Sequence, residues 1–167
     1  MKLMRIQRIL VGALLLVCWG LNAQEYGFNW AKQIGGLEND YGIDIKIDNN
    51  DNFLLSGLFS DSVDFDPGIN TFNLFSQGSF DRFISKYDNS GELIWAVSLG
   101  TTGDENYYDV HFDPEGNIIN IGTFNVAMDF DPGSGENIVF PNEGTADSYI
   151  LKLDGDGNFS ALIDCEI

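Results

Sequence analysis

The chain has 167 residues, with 26 Asp or Glu against 8 Lys or Arg and a formal net charge of −18. A field of that sign repels phosphate backbones and anionic bilayers, which argues against nucleic acid and leaves cations and neutral polymers as partners. Apolar residues make up 44% of the chain and alternate with the charges throughout, so the acidity belongs to a folded protein.

Taken in chain order, the first element is a leader. Lys2, Arg5 and Arg8 form a basic region ahead of the apolar run Ile9 to Trp19, and Ala23 supplies a small residue at its end. The pattern predicts a cleavable export signal over residues 1–23, scission before Gln24, and a secreted or cell-surface product. An uncleaved anchor would take about 20 apolar residues to span a bilayer, and this run is shorter. A lipoprotein site at Cys18 would need a small residue before it, and Val17 is not one. Without residues 1–23 the chain keeps 5 basic and 26 acidic side chains, a formal charge of −21, and one cysteine, Cys165. A single thiol builds no internal disulfide, so stability has to come from packing, with bound ions as the other available staple.

An internal repeat follows. Trp30-Ala31 recurs as Trp95-Ala96, and at the same offset of 65 Gly35 meets Gly100, Asp44 meets Asp109 and Asp48 meets Asp113. Asn52, Gly57 and Phe59 meet Asn117, Gly122 and Phe124, and Asp64-Phe65-Asp66-Pro67-Gly68 returns as Asp129-Phe130-Asp131-Pro132-Gly133. After a one-residue insertion Asp81, Ile84, Lys86, Asp88 and Gly91 meet Asp147, Ile150, Lys152, Asp154 and Gly157. These matches place one repeat over about 30–94 and a second over about 95–160, within one partial domain spanning 24–167.

Each repeat reads as four strands. In the first they are Ile43–Ile47, Phe53–Phe59, Arg82–Tyr87 and Leu93–Leu99, separated by the turn runs 48–52 and 88–91 and by a long connection holding Asp66-Pro67-Gly68. The second repeats this with turns at 113–117 and 154–158, and no helical period appears beyond the leader. Short antiparallel strands with near-continuous apolar runs suit sheets buried on both faces. The predicted fold is all-β, two four-stranded antiparallel β-propeller blades after an N-terminal signal peptide. A β-sandwich is the alternative, disfavoured by the exact repetition of whole strand sets.

The sequence Trp-Ala, Gly, Asp-x-x-x-Asn, Gly-x-Phe, Val-Asp-Phe-Asp-Pro-Gly, Asp-x-Phe-x-x-Lys-Tyr-Asp-x-x-Gly and a closing Trp resembles the seven-bladed β-propeller repeat of secreted bacterial proteins, abbreviated SBBP. The resemblance runs from Phe28 to Phe159. It implies a surface or extracellular module and says little about function. The second copy departs from the first at Thr101 and Tyr107, which replace Gly36 and Gly42, and the next Trp position falls at Ala161. Two blades do not close a ring of four to eight. The expectation is a truncated or split reading frame, with assembly onto further blades or self-association as the other route.

Among site candidates, Asp64 with Asp66 and Asp129 with Asp131 form same-face carboxylate pairs in an extended segment, a donor set that suits calcium. The alternative is a turn in which the aspartates cap backbone amides while Phe65 plugs the core. Asp154-Gly155-Asp156-Gly157-Asn158 resembles the start of a calcium loop, but lacks the distal glutamate and reads better as a hairpin. His111, the one histidine, has Lys46 as its counterpart and reads as an exposed strand residue. Trp30 and Trp95 offer sugar-stacking surfaces, yet their matched positions fit packing between blades. No nucleophile–base pair or phosphate loop occurs, and carboxylates repeated in each blade speak against a glycosidase. The expected function is a non-catalytic extracellular binding, adhesion or spacer module, with an extracellular protein or glycan as partner. A carbohydrate-binding propeller is the second reading and a polysaccharide-active enzyme the last.

Overall fold

The computed structural model of the protein describes residues 27–103, 106–142 and 145–165, so the leader lies outside the described residues. Within them the chain is all-β, without a helix. The first four-stranded antiparallel sheet consists of β1 (Tyr41–Ile47), β2 (Phe53–Phe59), β5 (Asp81–Tyr87) and β6 (Leu93–Leu99), in the order β1-β2-β5-β6. The second consists of β7 (Asn106–Phe112), β8 (Ile118–Phe124), β11 (Asp147–Leu153) and β12 (Phe159–Cys165), in the matching order. These are the two blade-like sheets that the repeat predicts.

The long connection of each repeat is more than a loop. It folds into a two-stranded ribbon, β3 (Ser62–Asp64) with β4 (Asn73–Phe75) in the first copy and β9 (Met128–Asp129) with β10 (Ile138–Val139) in the second. Each ribbon lays an aromatic plug on its sheet. Phe65 meets Phe59 and Phe83 at ring separations of 5.6 and 4.9 Å, and Phe130 meets Phe124 and Tyr149 at 5.2 and 4.8 Å. The Tyr87 hydroxyl donates to the Phe65 carbonyl at 3.0 Å and pins the first ribbon down.

All four hairpins share one construction. The first aspartate's Oδ1 accepts from the amides two and four residues on: Asp48 from Asn50 and Asn52, Asp88 from Ser90 and Glu92, Asp113 from Glu115 and Asn117, Asp154 from Asp156 and Asn158, all at 2.8–3.0 Å. The fourth turn residue takes a left-handed φ, at Gly91, Gly116 and Gly157 and, without a glycine, at Asp51. A short polar side chain tolerates that region better than most. The run at 154–158 is thus a hairpin turn, as its three sister turns suggest.

Side chains on each strand alternate between two faces, here called front and back. On the first blade the front carries Phe59, Phe83 and Ala96, which form one core cluster with Val63 and Phe65. Its back carries Leu54, Ile84 and Leu99, and these join Val110, Ile118, Phe124, Tyr149, Leu151 and Leu153 on the front of the second blade in a larger cluster. The blades therefore stack back to front, and the main core lies between them.

Candidate functional site

The stack is held at its centre by Arg82, the one arginine after residue 23. It leaves the back of β5 and is 1% exposed. One terminal nitrogen donates to the Tyr149 hydroxyl and the other to the Thr123 carbonyl at 2.8 Å, while the guanidinium carbon lies 5.1 Å from the Tyr149 ring centre. Tyr149 in turn donates to Asn120 Oδ1 at 2.8 Å, and Asn120 Nδ2 donates to the Asp109 carbonyl at 3.0 Å. A buried relay thus runs from the first blade through the second to its innermost strand. The Arg82 Nε is buried without a partner, so the charge is only partly satisfied. Asp81, next in sequence, points to the other face. Its Oδ2 accepts the Gln77 amide at 2.9 Å, and burial pushes its carboxyl above the ordinary carboxylate range.

The tryptophans mark the outer edge of the stack. Trp95 Nε1 donates to the Gly155 carbonyl at 3.2 Å, and its ring lies flush on Gly157, where a Cβ would come within 3.0 Å. Trp30 repeats both contacts on the first blade, donating to the Asn89 carbonyl at 3.2 Å and lying on Gly91. Trp95 packs between the two blades, and Trp30 packs in the same way on the first blade, where it is 40% exposed.

At the other edge β1 and β7 run side by side and carry charges. Lys46 Nζ lies 2.6 Å from Asp44 Oδ2 and 3.6 Å from Asp109 Oδ1, and His111 Nε2 lies 2.9 Å from Asp109 Oδ2. The Asp44 hydrogen bond holds the Lys46 amine above its usual range. His111 is an exposed strand residue, as expected. Both strands carry a bulge at the same place, between Gly42 and Asp44 and between Tyr107 and Asp109. Bulges and inward charges are devices that keep an edge strand from recruiting another chain.

The four aspartates singled out from the sequence stand in two identical turns. Asp64 Oδ1 accepts the Asp66 amide at 3.0 Å and the Phe72 amide at 2.8 Å, and Asp66 Oδ1 accepts the Gly68 amide at 2.7 Å. Asp129 and Asp131 do the same for the amides of Asp131, Asn137 and Gly133 at 3.0, 2.8 and 2.8 Å. Phe65 and Phe130 between them are wholly buried. Among the described residues no group of three or more His, Cys, Asp or Glu side chains is placed to hold a metal ion.

Sequence reasoning missed Arg82. The signal was present: a lone arginine whose repeat counterpart is Ser148, facing a Tyr149 whose counterpart is Phe83.

No protein-family model matches the chain. The chain is similar to an uncharacterised WD repeat-containing protein, L264, of Acanthamoeba polyphaga mimivirus, with 28% identity over 128 residues. That alignment covers 74% of this chain and 9% of the viral protein, so the chain spans a small part of its relative. The likeness agrees with the two blade-like sheets in pointing to a propeller-like repeat module.

Proposed function

We propose that the chain is a non-catalytic repeat module of the secreted, SBBP-like kind, exported or held at the cell surface and working by binding, adhesion or spacing. One observation carries this reading. The repeated aspartates of both copies, at the hairpins and in Asp-Phe-Asp-Pro-Gly alike, place a carboxylate oxygen on turn amides. A carboxylate repeated in this way builds scaffold, whereas an active site has to be built only once. Among the described residues no helix is long and apolar enough to cross a membrane. Intact mass of exported material should begin at Gln24, and the chain should leave polysaccharides uncut while retaining extracellular proteins. Cleavage that disappears in Asp64→Asn or Asp129→Asn would replace this reading with an enzyme.

A carbohydrate-binding role has one observation in its favour. Phe75 and Phe140 occupy the same repeat position on the two ribbons and are well exposed, as stacking platforms for sugar would be. A glycan array with the native chain and with Phe75→Ala/Phe140→Ala separates the two: loss of glycan binding in the double variant selects this role.

A further inference from the structure

The hairpin at 154–158 differs from its three sisters in a way that the turn itself does not require. Each run ends on a residue that opens the next strand: Asn52 before Phe53-Leu54, Glu92 before Leu93-Ile94, Asn117 before Ile118-Ile119 and Asn158 before Phe159-Ser160. Three of the four place an apolar residue two positions on, and Leu54 there is wholly buried. The fourth places Ser160. Asn158-Phe159-Ser160 thereby has the Asn-x-Ser form of an acceptor for N-linked glycan, and no other asparagine of the chain has Ser or Thr two residues on.

Such a run is useful only where a bulky substituent fits, and the fold presents it. Burial alternates along the hairpin: Asp156, Asn158 and Ser160 are exposed, while Gly157 is buried and Phe159 packs against the main core. Trp95 secures the covered side through the Gly155 carbonyl and the face of Gly157. Asn52 and Asn117, at the same place in their own turns, are half-buried. The Asn158 Nδ2 donates to both carboxylate oxygens of Asp154, at 3.0 and 3.3 Å, while its backbone amide donates separately to Oδ1 at 2.9 Å. An N-linked sugar removes one of the two side-chain N–H groups. The other is enough for the shorter bond, so the turn keeps its construction.

We propose that Asn158 is an N-glycosylation site. The site goes beyond a binding role and rests on the export proposed above, because this transfer is made to exported chains. The co-reactant is an oligosaccharide carried on a lipid diphosphate, together with the transferase that uses it. Asn158 Nδ2 attacks the anomeric carbon of the first sugar and a C–N bond forms. The bond from that carbon to the diphosphate oxygen breaks, the lipid diphosphate leaves, and Nδ2 gives up one proton to the transferase. Nothing is oxidised or reduced. Ser160 supplies the hydroxyl that the transferase reads, and the exposed Asp156, two residues before the acceptor, adds a carboxylate for a cationic site to grip. The side-chain amide must leave Asp154 to react, so transfer precedes closure of the hairpin, and the fold then keeps the product on its surface.

Mass spectrometry of the chain exported by the cells that make it tests this. After trypsin, the peptide that begins at Leu153 should carry a glycan whose fragmentation leaves the first sugar on Asn158. Asn158→Gln and Ser160→Ala should each lose that glycan completely, and Ser160→Thr should retain it. Ser160→Ala, at an exposed position, keeps Asn158 and its bonds to Asp154, so unchanged far-UV circular dichroism separates loss of the acceptor from loss of the fold. Exported chain that begins at Gln24 with Asn158 unmodified, or a glycan that survives in Ser160→Ala, would overturn the proposal and leave the export reading standing. Chain held uncleaved in the cytoplasm would overturn both.

Discussion

Strands β5 and β11 occupy the same place in two copies of one sheet and share Ile, Lys and an aromatic at matched positions, yet they are buried differently. Six of the seven residues of β5 are buried, on both faces, while in β11 only Tyr149, Leu151 and Leu153 are, all on the front. The cause is not composition but neighbours. The first blade has the second blade on its back and its own ribbon and residues 28–34 on its front, while the second blade's back has no partner among the described residues. Burial in a stacked repeat is set by what stands next to it, and a strand's apolar pattern reports only what it can tolerate.

The largest effect should come from the residue that the comparison turns on. Arg82→Ala removes a wholly buried side chain, opens a cavity between the blades and strips the Tyr149 ring and the Thr123 carbonyl of a partner. We expect a loss of about 2–5 kcal/mol in urea unfolding. Ser148→Ala at the same position of the second blade should change stability by less than about 0.5 kcal/mol. Equal effects at the two sites would mean that the blades do not stack through Arg82.

Gly57 and Gly122 sharpen the contrast. A Cβ at Gly57 would lie 1.8 Å from the Tyr41 carbonyl oxygen, a backbone atom that cannot move without breaking the β1–β2 register. At Gly122 the nearest atom is the Tyr149 hydroxyl at 2.6 Å, on a side chain. Gly57→Ala should therefore cost more than about 3 kcal/mol, and Gly122→Ala about 1–3 kcal/mol. Thermal melts of the two variants give the order directly.

A smaller effect is expected in acid. Lys86 reaches Asp48 Oδ2 at 3.1 Å, and Lys152 reaches Asp113 Oδ2 at 2.6 Å, so each third strand ties down its blade's first hairpin. Burial alone would raise the Asp48 carboxyl. Hydrogen bonds from the Asn52 side chain and amide, the Asn50 amide and Lys86 outweigh it and bring the value from 3.8 to about 2. The Lys152 and Asn117 hydrogen bonds hold Asp113 well below the usual range. A depressed folded value gives stability that is fully present above the unfolded value and is lost as pH falls through the folded one. For Asp48 that window runs from about pH 4 to pH 2 and is worth up to about 2 kcal/mol. Asp48→Asn should flatten the melting temperature across it, and an unchanged acid slope would assign the loss to other carboxylates.

The smallest effect concerns calcium. With Asp64 and Asp129 each holding two turn amides, replacement by Asn weakens both acceptors, by about 1 kcal/mol apiece. If the pairs serve turns alone, equal concentrations of calcium and magnesium should raise the melting temperature equally. A calcium-specific rise that disappears in Asp64→Asn/Asp129→Asn would show that the pairs also hold a cation, since magnesium sheds its waters reluctantly.

Much of this architecture was legible because the repeat declares itself through residues with local duties. The hairpin aspartates, the left-handed glycines at 91, 116 and 157, and the alternation along β2 and β8 all act within a few residues or across one strand pair. The ribbons were not legible. Strands of two or three residues, such as Met128–Asp129 with Ile138–Val139, are too short to show a period. Arg82 was passed over for a different reason. A charged residue in a strand reads as solvent-facing until a neighbouring blade is placed against it.

By itself the sequence determined the all-β class, the two copies, the turns and the inward aromatic of each ribbon, because these follow from backbone angles, amide capping and alternation over short distances. Only the tertiary structure decided that the copies stack back to front, that an arginine crosses between them to a tyrosine, and that Ile45 is exposed while Val110 is not. Those facts depend on contacts between residues some 40 to 70 positions apart, such as Arg82 with Thr123 and Lys86 with Gly155. No local pattern encodes which of two equivalent faces will find a partner.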